Sequence, residues 1–423
     1  MTIHDAPKLT AAEQALVDAY GERFSRLPGN PDVAHARDIA FDTLKQAGLP
    51  TRRVEAWHYT DLRRLLSAVP AYKPEPDVRP VQVLLEDSAV AILANGRALQ
   101  ADDNIEGVTF TPVADLLADG RIAPALVASG GDDTVGALNA AFVSDGWYME
   151  IEAGAEIDVP LEIQNLHAGG QVHARFPVKV GAGAKATIVE RQAGDGEALV
   201  SSVANLVLDE GAEITWVLVQ EQPRDVTHLG RIAAELGRDA KLTIFIMNAG
   251  GKLVRQEIVV GVKGEGADFR LRAINLLGGD THTDLTMVLD HAVPSTTSTE
   301  IVRNVVTGKA SGVFQGQIKV HQIAQKTDAR MACNTLLLSD DADFSAKPEL
   351  EIFADDVACG HGATVTEIDR AHLFYLMARG IPESDARRLL VKAFLAEVIE
   401  ELEDEALVTA LEDRLEGWFA NEG

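Results

Sequence analysis

Cysteine is nearly missing: the 423 residues contain two, Cys333 and Cys359. Two thiols exclude a disulfide scaffold and point to a reducing compartment. They also cannot supply the four ligands of a tetrahedral metal site or a complete iron–sulfur cluster. Long apolar runs are absent as well. Candidates such as Ile214–Val219 and Leu242–Met247 have strand length, far short of the ~18 residues that span a bilayer. The opening residues Met1–Lys8 hold neither a basic nor an apolar stretch, so no signal peptide is expected and a cytoplasmic location is. Positive charge is scarce. Lys plus Arg number 38 against 65 Asp plus Glu, a formal net charge of −27. Such a chain repels phosphate backbones and anionic lipids, so neither nucleic acid nor membrane is an expected partner. There is no Gly-x-x-x-x-Gly-Lys-Ser/Thr phosphate loop, no Gly-x-Ser-x-Gly elbow and no His-Glu-x-x-His pair. The chain is therefore not expected to hydrolyse ATP by itself.

What is present divides into four stretches. Residues 1–80 read as helices and a linker. Thr10-Ala11-Ala12-Glu13 is a capping box followed by Leu16, Val17, Tyr20 and Phe24 at helical spacing. Asn30-Pro31 opens a second helix with the stripe Ile39, Ala40, Leu44, Ala47 and a stop at Gly48. Thr60 is read as the cap of a short helix holding Leu62, Leu65 and Leu66, and Pro70, Pro74, Pro76 and Pro80 mark a linker. Residues 81–145 read as a small mixed segment, with strand-like Val81–Leu85 and Val90–Leu93 and a short helix at Val113–Leu117. Residues 146–366 change character: short Val, Ile, Leu and Thr runs are broken by Gly, Asp and Asn, with no helical stripe between them.

A turn signature recurs in this third stretch. It begins at Gly154, Gly183, Gly211, Asp239 and Gly266, at spacings of 29, 28, 28 and 27 residues. A strand-rich period of this size fits stacked coils, each unable to bury its apolar face alone. A sandwich with regular hairpins fits the pattern too, and periodicity does not separate them. Residues 367–423 return to helix, with Asp369 as a cap, Pro382 opening a helix, and Leu389, Leu390, Ala393, Phe394 and Val398 as its apolar stripe.

The chemistry-bearing segment is Lys347–Val365, an alternating strand that ends in Cys359-Gly360-His361-Gly362. Residues two apart on an extended chain face one side, so Cys359 and His361 are expected to project together. Thiolate and imidazole both suit iron or zinc. The flanking glycines leave room for a partner's backbone or a cluster. Core packing is the competing reading of such a pair. Cys333 lies in the strand-like Met331–Leu338 and is read as core filling or an additional thiolate. His321 is read as a hydrogen-bonded strand histidine, Asp340, Asp341 and Asp343 as a solvated turn, and Trp57-His58 as packing.

The segment Lys347–Val365, with Leu373–Ile381 after it, resembles the C-terminal signature of the SufB/SufD family, scaffold subunits of the Suf iron–sulfur assembly machine. Val54–Leu62, reading Val-Glu-Ala-Trp-His-Tyr-Thr-Asp-Leu, resembles the N-terminal signature of the SufD branch, and Gln325–Ala329 resembles the family's late β-helix region. SufB-type chains tend to read His-Glu-Ala-Thr where this one reads His361-Gly362-Ala363-Thr364.

The resemblance implies a mainly β fold, a right-handed parallel β-helix flanked by α-helical N- and C-terminal regions. It implies pairing with SufB through the late β-helix edge and docking of the ATPase SufC on the C-terminal helices. Leu389, Leu390, Phe394 and Val398 are the residues taken for that docking. It implies a transient iron–sulfur cluster shared with SufB, with His361 as imidazole ligand and Cys359 as a nearby thiolate. A flavin in the complex is left open. The role implied is that of an assembly factor without turnover of its own, and the alternative is a brace for SufB that supplies no cluster ligand. A carbohydrate-active β-helix enzyme would need a calcium-binding carboxylate cluster beside a base, and no such constellation is evident.

Overall fold

A computed structural model of the chain describes residues 9–74, 77–102, 104–127, 130 and 132–422; Met1–Lys8 and Pro76 lie outside this set. Its centre is a parallel β-solenoid of about eight coils. Each coil gives one strand to each of two ladders. One ladder runs through Val226–Leu236, Leu253–Val262, His282–His291, Ser311–Val320 and Asp343–Ile352. The other runs through Glu213–Gln220, Lys241–Asn248, Asp268–Leu277, Thr297–Val306, Asp328–Leu337 and Ala358–Thr366. Two long bent strands, Leu161–Val180 and Lys185–Leu208, serve both ladders at the first coils. The stacked-coil reading of the repeat therefore holds and the sandwich does not. Ala89–Ala94, within the segment 81–145, pairs parallel with Leu161–Leu166 and so belongs to the solenoid's first coil.

The recurrent turn is a stacked corner. Gly154, Gly183, Gly211, Asp239 and Gly266 all take positive φ, from 53° to 76°, the region glycine enters without steric cost. The amide of Gly183 donates to the Glu210 carbonyl, that of Gly211 to Arg238 and that of Asp239 to Glu265, at 2.8 to 2.9 Å. One corner residue thus hands its N–H to the next coil. The column continues through Ser295 and Lys326, also at positive φ, and ends where the Lys326 amide meets the Asp356 carbonyl. Neither residue carries the glycine signature, so the last corners are invisible to the motif.

Inward positions alternate along each strand and build a lumen of Ile, Leu, Val, Phe and Ala. One edge of it is polar. Asn165 donates to Gln192 at 2.9 Å; further along, Asn248 donates to Asn275 and Asn275 to Asn304, each at 2.7 Å. Amide side chains at one register position bond from coil to coil, as buried polar groups tend to, although the Asn165 and Asn248 side-chain oxygens have no partner.

Helices cover the outer faces. The N-terminal helices Ala11–Arg23 and Pro31–Ala47 pack with Thr134–Phe142 onto Leu199, Leu229 and Leu253. The capping box at Thr10 and Glu13 and the Asn30 cap form as expected, but Ile39 of the expected stripe is 52% exposed. The short helix Leu62–Leu65 is capped by Asp61 and not by Thr60. Thr60 is drawn away by the solenoid: its hydroxyl donates to Asp284 and meets His282 Nε2 at 2.9 Å. Val81–Leu85 is not a strand. Side chains take over its ladder bonds, the Val81 amide donating to Gln164 Oε1 at 3.0 Å and the Leu84 amide to Glu162 Oε2 at 2.7 Å.

At the C-terminus, Asp369 caps the helix Arg370–Met377. The helices Glu383–Glu400 and Glu405–Glu422 pack on Val217, Phe245, Ile274 and Val305 of the second ladder. The buried stripe of Glu383–Glu400 is Ala386, Val391, Leu395, Val398 and Ile399. It is rotated from the expected one, because Leu389 and Ala393 face outward and only Val398 is common to both.

Candidate functional site at the open end of the solenoid

The segment Val54–Thr60 is a clamp. Trp57 is fully buried and lies under the Arg255 guanidinium, 3.8 Å from ring to cation. Arg255 also binds Asp284 at 2.5 Å, Glu257 at 2.9 Å and the Ala56 carbonyl at 2.8 Å. This buried arginine has partners for its charge, as such residues need. The motif's work here is docking, and Trp57 packs. His321 accordingly pairs with Asp290 at 2.6 Å, and Asp340, Asp341 and Asp343 are exposed.

The last coil is different. Every earlier strand of the two ladders has a neighbour on both sides. Asp343–Ile352 and Ala358–Thr366 have a neighbour on one side alone. Ala358–Thr366 is the final strand, and Cys359, His361 and Ala363 stand in register with Ala329, Met331 and Cys333. Those three face the lumen and are buried. Cys359 and His361 therefore sit on the lumen side of the last coil, where the lumen is open: Cys359 is half-buried and His361 exposed. Together with Arg330, Met331, Ala358 and Gly360 they line one shallow hollow of about 450 Å³. A Cβ at Gly360 or Gly362 would meet nothing within 4 Å, so the room beside the histidine is empty in the single chain.

The two thiols have different environments. Cys333 is fully buried, its Sγ 3.4 Å from Asn304 Nδ2, and burial pushes its pKa up to about 12. It is a proton-bearing thiol in the core of this chain. Cys359 is raised more modestly, by burial first, with the Ala329 backbone pulling the other way. Among the described residues no group of three or more His, Cys, Asp or Glu side chains is arranged to hold a metal ion. The edge of this chain offers a thiol and an imidazole side by side.

Residues 163–394 match the family model described as SUF system FeS cluster assembly, SufBD core domain. The chain belongs to the SufBD family. It is 29% identical over 382 residues to the iron–sulfur cluster assembly protein SufD of Escherichia coli, covering 86% of this chain and 88% of that one. It is 28% identical over 400 residues to an iron–sulfur cluster assembly SufBD family protein of Synechocystis, covering 88% and 87%. SufD of Bacillus subtilis is 28% identical over 274 residues, 63% of this chain and 62% of that protein. Membership of the SufBD family places the chain in iron–sulfur cluster assembly.

Of the residues assigned to partner docking, Leu389 is 49% exposed, Leu390 and Phe394 are partly covered, and Val398 is buried against the solenoid. The neighbouring helix Arg370–Met377 buries none of its side chains, and Phe374, Tyr375 and Met377 are exposed. None of these three belongs to the expected docking set, although the apolar run Leu373–Met377 is visible in the sequence. Among the described residues, no helix is long and apolar enough to cross a membrane.

Proposed function

We propose that the chain is the SufD-type half of a SufB–SufD scaffold, meeting SufB at the open end of its solenoid. The observation that carries this reading is the last coil. Its edge strand is unpaired on one side, its lumen is uncovered, and His361 and Cys359 line the opening. An unpaired strand edge is a template for another chain's strand, and a half-set of soft ligands fits a cluster shared between two proteins. His361 is then the imidazole ligand and Cys359 a thiolate once a metal ion displaces its proton. Cys333, one strand further in and buried, is positioned as core. The iron–sulfur cluster is cargo: a site completed by two chains also comes apart between them. SufC docks on the C-terminal helices, and its ATP hydrolysis moves them and opens the interface. The chain itself turns nothing over.

The test is anaerobic co-purification with SufB and SufC, followed by the absorbance spectrum of the complex. His361→Ala is expected to leave the complex intact and lower cluster yield. A truncation after residue 380 is expected to release SufC. Full cluster yield from an intact His361→Ala complex would overturn the ligand role and leave the brace reading. Failure to co-purify would overturn both.

A further inference from the structure

Glu300, on the strand Thr297–Val306, is fully buried; the Ser298 hydroxyl is the polar group beside its carboxyl, and neither carboxylate oxygen makes a hydrogen bond of normal geometry. Buried acids are normally paired or hydrogen-bonded, and an orphan one calls for an explanation. Arg272 attracts it from a distance but makes its ion pair with Glu401 instead. That guanidinium donates to Glu401 and to the carbonyl and hydroxyl of Thr299, on the outer side of the ladder.

The register gives Glu300 a place. Leu271, Glu300, Met331 and His361 are partners across four adjacent strands, and Phe269, Ser298, Ala329 and Cys359 form the neighbouring column. Ser298 and Glu300 thus stand behind Cys359 and His361, two strands or about 10 Å further into the lumen. Only Ala329 and Met331 intervene. Ala329 is small. The Met331 sulfur lies 2.3 Å from where a Cβ on Gly316 would be, so it fills space that the opposite ladder leaves open. An unbranched thioether in such a space swings aside without moving the backbone. Ser298 is backed by His291 Nε2 at 3.3 Å, and His291 Nδ1 by Thr296 at 2.8 Å.

We propose that Glu300 is an inner ligand for a divalent cation of the ferrous class, which enters past Met331 from the open end and is held with the Ser298 hydroxyl. Oxygen donors suit ferrous ion, and a thioether adds a soft one. The step balances simply: the carboxylic acid loses its proton to solvent and its oxygen takes the cation in its place. Burial holds that proton on Glu300 in the free chain. The inference rests on reading the Cys359–His361 edge as the iron-handling end.

The test is anaerobic titration of the full chain with Co²⁺, followed by its d–d absorbance and by proton release. One bound ion with release of a proton is expected. Glu300→Gln should weaken that ion by about tenfold or more, while Asp340→Asn, in an exposed turn, leaves its affinity unchanged. Equal affinity in Glu300→Gln and the wild type overturns the proposal, as does no binding at all. An ion bound through Glu300 in a chain that gives no cluster with its partner supports this inference and overturns the functional reading instead.

Discussion

The amide nitrogen of Asn304 stands 3.4 Å from the sulfur of Cys333 and 3.0 Å from the hydroxyl of Thr335. The buried amide row therefore ends on a thiol, one strand short of the edge that carries Cys359. Reactivity follows thiolate fraction and access. Cys359 is half-buried and Cys333 fully so, with its pKa pushed up to about 12. In the native chain, iodoacetamide is expected to label Cys359 at least about tenfold faster than Cys333. Peptide mass spectrometry over a time course checks this. Equal rates would mean that the last coils open far more than their packing indicates.

The row itself should be costly to break. Asn275 accepts from Asn248 and donates to Asn304. Asn275→Ala leaves both neighbours with an unmade bond in a dry interior. Each orphaned group costs about 1–3 kcal/mol, so a loss of about 2–4 kcal/mol is expected in urea unfolding. A loss under about 0.5 kcal/mol would show that water replaces the missing amide.

Fold and site were legible to different degrees. The glycine corners were visible because positive φ restricts residue choice, and they gave the coil period from Gly154 to Gly266. Ser295 and Lys326 occupy the same corners without the signature. Val81–Leu85 has strand character, yet Gln164 and Glu162 intercept its backbone. Thr60 is a good cap by type, but Asp284, more than 200 residues away in sequence, takes its hydroxyl. Cys359 and His361 were visible because two residues on one strand share a side regardless of the fold. Glu300 was not, because its relation to His361 runs through register between coils, and no local pattern encodes which coil is last.

Buried titratable groups set opposite pH limits. Burial raises Glu190 to about 7 from 4.5, while Gln192 and Trp216 donate to it. A carboxyl raised in the folded state holds its proton more tightly there than in the unfolded chain. Its effect on stability is nil below pH 4.5 and becomes a loss as pH rises from about 4.5 to 7. Burial lowers His228 from 6.5 to about 3. That group brings a loss as pH falls from 6.5 towards 3. Glu190→Gln should therefore gain on the wild type between pH 5 and pH 8, by up to about 3 kcal/mol. Urea midpoints at the two pH values decide it, and a constant difference would show that Glu190 does not titrate in this range.

The C-terminal helices give a prediction with a built-in control. Phe374 is 72% exposed and Leu389 49%, whereas Val398 is 1% exposed and packed on the solenoid. Under the proposed docking of SufC on these helices, the exposed apolar side chains are the surface it meets. Phe374→Asp and Leu389→Asp place a charge on that surface without disturbing the core. They should keep the thermal midpoint within about 2 °C and weaken SufC capture in a pull-down by about tenfold or more. Val398→Asp should act the other way round. It buries an unpaired carboxylate, at a cost of several kcal/mol, and loosens the helix from the strands beneath it. SufC binding would then fall together with the midpoint. If Phe374→Asp and Leu389→Asp bind SufC as the wild type does, the docking face is not this one, and the exposed apolar residues of the tail serve another contact.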